Sequence, residues 1–458
     1  MTLRNILLAG TALGAAAFLA VPAQAGSKDC CGDVDALKQQ INDLQQKVDD
    51  LAINYGNKIK DLESRKGDVI TTFKNGRPGF RSADGSFKLD FRGRFHMDAG
   101  SYFNVDQGIE NIGGRDDDIN FRRARFGVKG HVWNDWKYAL IFDFGGSDDS
   151  SGPALHEASL TYAGIDNVGI TWGASKPKLT FADSVSSNDV TFLEDPTAAT
   201  LMASIGGGSS RQMLGVTYEG EQLFLAVSQT WGEVGDNEGD LDGGENLLGR
   251  IAFVQPLGDT LSMQVGASGA WKYNSDGSFR FRDRQELRLD AGRLLTMNNI
   301  TSVDDVYGYG PDLTLAAGPF RASAEYYWYK VNRDTGSDYD FDAWYAEAAW
   351  LITGESYKFD GEGGMKGVSP ANPFDLAGSG SGAFEAAVRY SDTDLSDVAG
   401  TAFDSGDALQ QKIWTFGLNW YPNKNIAFKA NYQIVDLEDG AGNDAGFEAV
   451  ALRTQFKF

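Results

Sequence analysis

From Phe87 to the end of the chain, apolar and polar side chains alternate with a period of two, interrupted at turns. The first long run has Phe87, Leu89, Phe91, Gly93, Phe95, Met97 and Ala99 on one parity. Lys88, Asp90, Arg92, Arg94, His96 and Asp98 take the other. A strand points successive side chains to opposite faces, so this run has one greasy and one wet face. The last run repeats the pattern, with Val450, Leu452, Thr454, Phe456 and Phe458 against Ala451, Arg453, Gln455 and Lys457. An amphipathic strand at the end of a chain needs a pairing partner, which a closed barrel supplies. The pattern predicts sixteen strands, near 87–102, 119–133, 135–144, 155–163, 167–175, 213–219, 222–231, 245–255, 259–273, 305–317, 319–332, 341–353, 382–393, 411–421, 426–436 and 447–458. Short connections such as Asn134-Asp135 and Gly318-Pro319 alternate with long acidic or Gly-rich ones. The fold class expected is an all-β transmembrane barrel: a 16-stranded antiparallel outer-membrane cylinder with its short turns in the periplasm. One connection breaks the rule, because 354–381 falls where a tight turn is due yet is long and rich in Gly and Pro. Trp133 and Trp136, and Trp420 with Tyr421, flank short turns as interface aromatics do.

Upstream the period changes from 2 to 3.5. Val34, Ile41, Val48 and Tyr55 occupy one heptad position, Leu37, Leu44, Leu51 and Lys58 the other, and Leu62 follows. This predicts an N-terminal α-helical coiled coil, and the a/d choice alone favours a dimer. At the start of the chain, Arg4 precedes an apolar run from Ile6 to Val21 and a small-x-small site, Ala23-Gln24-Ala25. That is the pattern of a secretory signal peptide. The expected organisation is a signal peptide over 1–25, a periplasmic coiled-coil segment over 26–66 and the barrel over 67–458.

Composition narrows the function. The chain holds 64 acids against 41 bases, a net charge of −23, and removing the signal takes away only one base, Arg4. Such acidity argues against nucleic acid as a partner. The 56 glycines and 12% aromatics suit a barrel with lipid-facing and water-facing positions. Acids crowd the first long connection (Asp106, Glu110, Asp116, Asp117, Asp118) and the fourth (Glu233, Asp236, Glu238, Asp240, Asp242). With a screening length of about 8 Å, such rim charges count less than charges at a constriction. The two cysteines, Cys30 and Cys31, are adjacent and cannot easily bridge each other, which leaves pairing between chains or a free thiol pair. His96, His131 and His156 are the only histidines, and no nucleophile motif or metal-ligand spacing accompanies them. No enzyme activity, cofactor or metal is therefore expected.

The chemistry lies in cations. The third long connection runs over about 176–212, with Lys176 and Lys178 at its base, Ser186, Ser187 and Asp189 near its middle and Arg211 at its exit. On the wall, parity points Arg92, Arg94, Arg123, Arg125 and Lys129 into water. Arg122 has the opposite parity, so either a bulge occurs there or Arg122 faces a subunit contact. A second basic run, Arg280, Arg282, Arg284, Arg288 and Arg293, lies in the fifth long connection. Guanidinium groups suit anions because their planar fork bonds two oxygens.

Several segments resemble the phosphate-selective porin O and P family. They are Phe121-Arg122-Arg123-Ala124-Arg125 with Asp135-Trp136-Lys137-Tyr138, Glu157-Ala158-Ser159 with Tyr162, and Ser186-Ser187 with Phe192-Leu193-Glu194. Thr353-Gly354-Glu355 and Gly417-Leu418-Asn419-Trp420-Tyr421 continue the order. The resemblance covers roughly 85–458. It implies a homotrimer of sixteen-stranded barrels, each narrowed by an inward-folded third loop. It also implies a periplasmic segment at 354–381 and, for some members, an N-terminal coiled coil, which would assemble as a trimer. Carried over residue by residue, it makes Arg122 and Arg123 the phosphate-holding pair and keeps Lys137 and Ser186-Ser187; Lys178, Asp183, Asp189 and Arg211 are assigned to the constriction loop by their place in the third long connection. It also shows departures. Arg125 stands where a tyrosine is usual, His156 where an aspartate is usual and Asp183 where a pore lysine is usual. Those changes leave open whether the solute is phosphate, another anion or any small solute.

The function expected is an outer-membrane porin, a water-filled channel for passive diffusion of small solutes that prefers anions such as phosphate or polyphosphate, set in outer-membrane lipid. The alternative is an anchor whose periplasmic coiled coil contacts the cell wall.

Overall fold

The computed structural model describes residues 30–64, 69–74, 76–106, 108–109, 117–146, 154–234, 244–289 and 292–458. The expected signal peptide lies outside these residues, as do Glu110, Asp116, Asp236, Glu238, Asp240 and Asp242. The chain divides into two compact units, 1–66 and 67–458. In the first, α1 is a single helix over Cys30–Ser64. Its heptad residues Ile41, Leu44, Val48 and Leu51 are each more than half exposed, so one chain by itself leaves the stripe bare.

The second unit opens with a hairpin that the alternation did not announce, β1 (Val69–Lys74) and β2 (Arg77–Ser82). Strand β2 then pairs with the start of β3, from Gly79 opposite Asp90 to Arg81 opposite Lys88. The barrel proper follows. Its strands are β3 (Lys88–Phe103), β4 (Asp118–Val132), β5 (Trp136–Asp143), β6 (Ala154–Ile165), β7 (Val168–Ser175), β8 (Arg211–Glu219), β9 (Leu223–Glu233), β10 (Glu245–Pro256), β11 (Leu261–Asn274), β12 (Val303–Ala317), β13 (Phe320–Arg333), β14 (Tyr339–Leu351), β15 (Ala383–Asp394), β16 (Ala408–Asn423), β17 (Ile426–Asp439) and β18 (Asp444–Lys457). Each pairs antiparallel with the next. Strand β18 closes on β3, with Lys457 opposite Arg94 and Glu448 opposite Phe103. All sixteen expected strands are present, with ends shifted by a few residues, and closure leaves the cylinder without an edge.

Outward positions carry exposed Phe126, Leu160, Trp172, Leu214, Ile251, Phe253 and Val265, the side that meets hydrocarbon. The connections on the long-loop side are not all long: 334–338 and 440–443 are tight.

The lumen is partly filled. Loop 3 (176–210) bends inward and carries α2, Thr197–Ile205. Its Ala-rich sequence favours a helix, Pro196 precedes the first turn, and the Gly206-Gly207-Gly208 run ends it. Leu201, Met202 and Ile205 of α2 are fully buried together with inward-facing Tyr327, Tyr329 and Phe341. Gly308 permits the approach, because a Cβ there would lie 2.7 Å from Met202 Sδ. Loop 5 (275–302) adds Phe281, Leu295 and Met297 to the same cluster.

The irregular 352–382 connection enters the lumen from the short-turn side. The Gly363 carbonyl accepts from Arg250 Nη2 and Gln264 Nε2, both at 3.2 Å. Met365 packs with Phe181, Val185 and Ala316 beneath loop 3. This is why it is long where a tight turn was due: it fills space inside the cylinder.

Candidate functional site

Loop 3 is fixed at several points. Its first turn, Phe181–Ser184, is capped by Thr180 Oγ1, which accepts from Asp183 N at 2.9 Å. The free N–H groups of Phe181 and Ala182 donate to the Glu325 carboxylate at 3.0 and 2.8 Å. Farther along, Asn419 Nδ2 donates to Thr191 O at 2.8 Å, and Arg321 Nη2 to Thr191 Oγ1 at 2.8 Å. Lys429 Nζ donates to Val190 O. The loop therefore leans on the β13 and β15–β17 side, and the open lumen lies on the other side, against β3–β6.

On that wall a bulge settles the parity of Arg122. His96 lies opposite Arg123 and Met97 opposite Phe121, so Arg122 is the extra residue and no partner stands across from it. Both arginines then face the lumen. Arg122 bonds Glu194 of loop 3 in a fork, Nε to Oε1 at 2.8 Å and Nη2 to Oε2 at 3.0 Å. Arg123 Nη1 is 3.5 Å from the same carboxylate. Arg453 on β18 donates to it at 2.8 Å and holds Asp98 with two bonds of 2.6 Å. Arg288 from loop 5 stands 3.7 Å away. Burial opposes charge on Glu194, but Arg122, Arg123, Arg453 and Arg288 outweigh it and hold the carboxyl well below its usual range. A second bulge adds His156 beside Glu157, and Ser210 Oγ lies 3.1 Å from His156 Nδ1.

Two cavities follow the wall. The larger, about 800 Å³, opens among Arg94, Arg122, Arg125, Lys176, Lys178 and Asp183, with all five loop-5 arginines lining it. The smaller, about 330 Å³, lies toward the short turns. Its basic lining residues are Arg77, Arg92, Arg94, Arg125, Lys129 and Lys457, and its one acid is Asp189. Arg94, Arg125, Lys129 and Ser186 line both cavities and so mark the neck between them. Arg125 pairs with Asp143 at 2.5 Å and Lys129 with Glu157 at 2.7 Å. Arg94 bonds the hydroxyl of Ser187 at 2.6 Å and has no carboxylate partner among the described residues. Arg92 is 3.8 Å from Asp90.

The remaining candidates fall as follows. Lys176 pairs with Asp183 at 2.7 Å, Lys178 with Glu362 of the inward connection at 3.2 Å, and Asp189 with Lys457. Lys137 shares the lumen parity of Asp143 but lines neither cavity. Arg211 departs from its expected place in the constriction. It is fully buried behind α2 and donates to Ala203 O at 3.1 Å, because the residue that leads out of loop 3 must pass beneath the helix. The sequence reading missed Glu194, Asp98 and Arg77 as site residues and left Arg453 and Lys457 as wall residues. Arg453 meets Asp98 only once β18 has closed on β3, so only the closing register could have singled it out.

The profile of the family described as phosphate-selective porin O and P matches residues 87–458. Porin O of Pseudomonas aeruginosa is 28% identical over 421 residues, 85% of this chain and 93% of that protein. An uncharacterized protein of Caulobacter vibrioides is 27% identical over 380 residues, 79% of this chain and 71% of that one. Among solved structures, the outer membrane channel DcaP of Acinetobacter baumannii gives a TM-score of 0.51 at 14% identity, over 83% of this chain and 99% of that chain. OprB of Pseudomonas putida gives 0.52 at 9% identity, over 81% and 94%. At these identities the two structures speak for the fold alone.

Proposed function

The chain belongs to the phosphate-selective porin O and P family, and from that premise we propose that it is an anion-preferring diffusion channel of the outer membrane, not an enzyme. The observation that carries this reading is the neck. Three cations and a hydroxyl bound it (Arg94, Arg125, Lys129 and Ser186), and the cavity below has six bases to one acid. Field at the narrowest point sets ion preference, whatever the charge of the whole molecule. Phosphate fits the donor set, since Arg94 and Arg125 present planar forks at one level of the wall. The residues we assign to the pathway are Arg92, Arg94, Arg122, Arg123, Arg125, Lys129, Lys176, Ser186 and Ser187, with Lys178, Asp183 and Asp189 on the constriction loop. Lys137 belongs to the wall below it.

The reading extends to assembly. The bare stripe of Ile41, Leu44, Val48 and Leu51 supports a coiled coil between copies, and with it a homotrimer. The even strand number, which puts both ends of the barrel on one side, supports a periplasmic position for residues 26–66.

Reversal potential under a salt gradient in planar bilayers tests the reading. Anion preference is expected, with chloride current reduced when phosphate is added. Cation preference would end it.

A further inference from the structure

The Glu194 carboxylate is itself an anion seated among guanidinium groups. Arg122, Arg123 and Arg453 lie within 3.5 Å of it, from two different strands, and Arg288 reaches it from loop 5. Arg453 also holds a second carboxylate, Asp98. Arg122, Arg123 and Arg453 thus carry one more positive charge than Glu194 and Asp98 cancel, and the buried Arg123 Nε has no hydrogen-bond partner among the described residues. Arg122, Arg123 and Arg288 also line the larger cavity, so the cluster borders the path of a solute.

Glu194 is not needed as a latch. The loop-3 main chain around it is held without its charge. Arg389 donates twice to Glu194 O at 3.2 Å, Arg453 donates to Leu193 O, and Asn419 donates to Thr191 O at 2.8 Å. Below it, Gln455 donates to Asn188 O at 2.7 Å. A side chain whose backbone is already fixed is free to serve electrostatics.

We propose that Glu194 is a built-in competing anion: it fills the seat that Arg122 and Arg123 would offer a passing oxyanion, weakens retention there, and leaves the neck at Arg94 as the principal site of contact. This rests on the anion-channel reading. The physical reason is that conduction needs an anion to leave as readily as it enters, and a cluster of bare guanidinium groups would hold a multivalent oxyanion too long.

The test uses the full-length protein in planar bilayers, with inorganic phosphate titrated into chloride. In Glu194→Gln, which keeps size and hydrogen-bonding reach, the phosphate concentration that halves chloride current is expected to fall at least tenfold. Glu194→Asp is expected to restore weak block. Unchanged block in Glu194→Gln, or a larger conductance with lost ion preference, would overturn the proposal, the second by showing a mechanical latch. Adding Arg122→Ala to Glu194→Gln separates the cluster from the neck: tight block is expected to vanish, and its persistence would also overturn the proposal. Failure of the underlying reading has a different mark, cation preference in the unaltered protein.

Discussion

The two sides of the lumen are built from the same alternating strands, yet one is a passage and the other a packed interior. Toward β10–β16, inward polar groups are locked to fixed partners. Arg250 pairs with Asp312 at 2.7 Å with both side chains fully buried. Arg321 pairs with Glu347 at 2.7 Å, and Glu385 accepts from Asn419 and Tyr421 at 2.6 and 2.7 Å. Loop 3, loop 5 and the inward connection then cover these groups. Toward β3–β6 the inward side chains border open volume, and Arg94 keeps a single hydroxyl partner. Inward parity is thus necessary for a place in the pathway and does not suffice: what decides is whether a connection folds over the residue.

Four substitutions bear on this contrast. Arg250→Ala strands the buried Asp312 charge and is expected to cost about 3–5 kcal/mol, read as a lower temperature for the folded-to-unfolded gel shift. Its ion preference should stay that of the unaltered protein. Arg94→Ala should do the reverse, lowering anion-over-cation permeability several-fold at unchanged thermal stability. If Arg250→Ala shifted the reversal potential and Arg94→Ala did not, the division of the lumen would be drawn in the wrong place.

A smaller effect is expected at the hinge between the two sides. Glu325→Gln replaces one of the two carboxyl oxygens that accept the Phe181 and Ala182 N–H groups with an amide nitrogen, which cannot accept. The loss is about 1–2 kcal/mol, localised to the first turn of loop 3, and is read as increased open-channel current noise. Quiet current would mean that the covering contacts alone hold the turn.

The smallest concerns the cover itself. Burial pushes the Asp283 carboxyl in loop 5 up to about 6; Arg288 opposes this and Glu286 adds to it. The folded loop therefore keeps a proton that an unfolded chain, with an ordinary value of about 3.9, releases. The associated stabilisation is complete below about pH 4 and is lost as pH rises through about 6. Cleavage of loop 5 by added protease should increase from pH 5 to pH 7 in the native protein and stay flat in Asp283→Asn. Equal profiles for the two would show that Asp283 does not titrate there.

Much of this was legible in the chain. All sixteen strands, the short turns at Asn134 and Gly318, and the inward parity of Arg92, Arg94, Arg123, Arg125 and Lys129 follow from period-two alternation, because strand geometry ties sequence spacing to facing direction. The ambiguity at Arg122 was legible as well: two adjacent arginines cannot both face inward in a regular strand, and the bulge opposite His96 is what lets them. Not legible were the β1–β2 hairpin, whose Arg77 reaches the smaller cavity, and the burial of Arg211 behind α2. Neither leaves a periodic trace.

By itself the sequence determined the kind of object this is: a closed cylinder with an apolar outside, a polar inside and a helix with an apolar stripe before it. These are properties of local periodicity, and each residue carries its own share. Only the tertiary structure decided which inward charges meet water. That depends on where loop 3, loop 5 and 352–382 come to rest, and on the register at which β18 meets β3. A carboxylate at position 194 and guanidinium groups at 122, 123, 288 and 453 become one cluster only when segments hundreds of residues apart are brought within 4 Å.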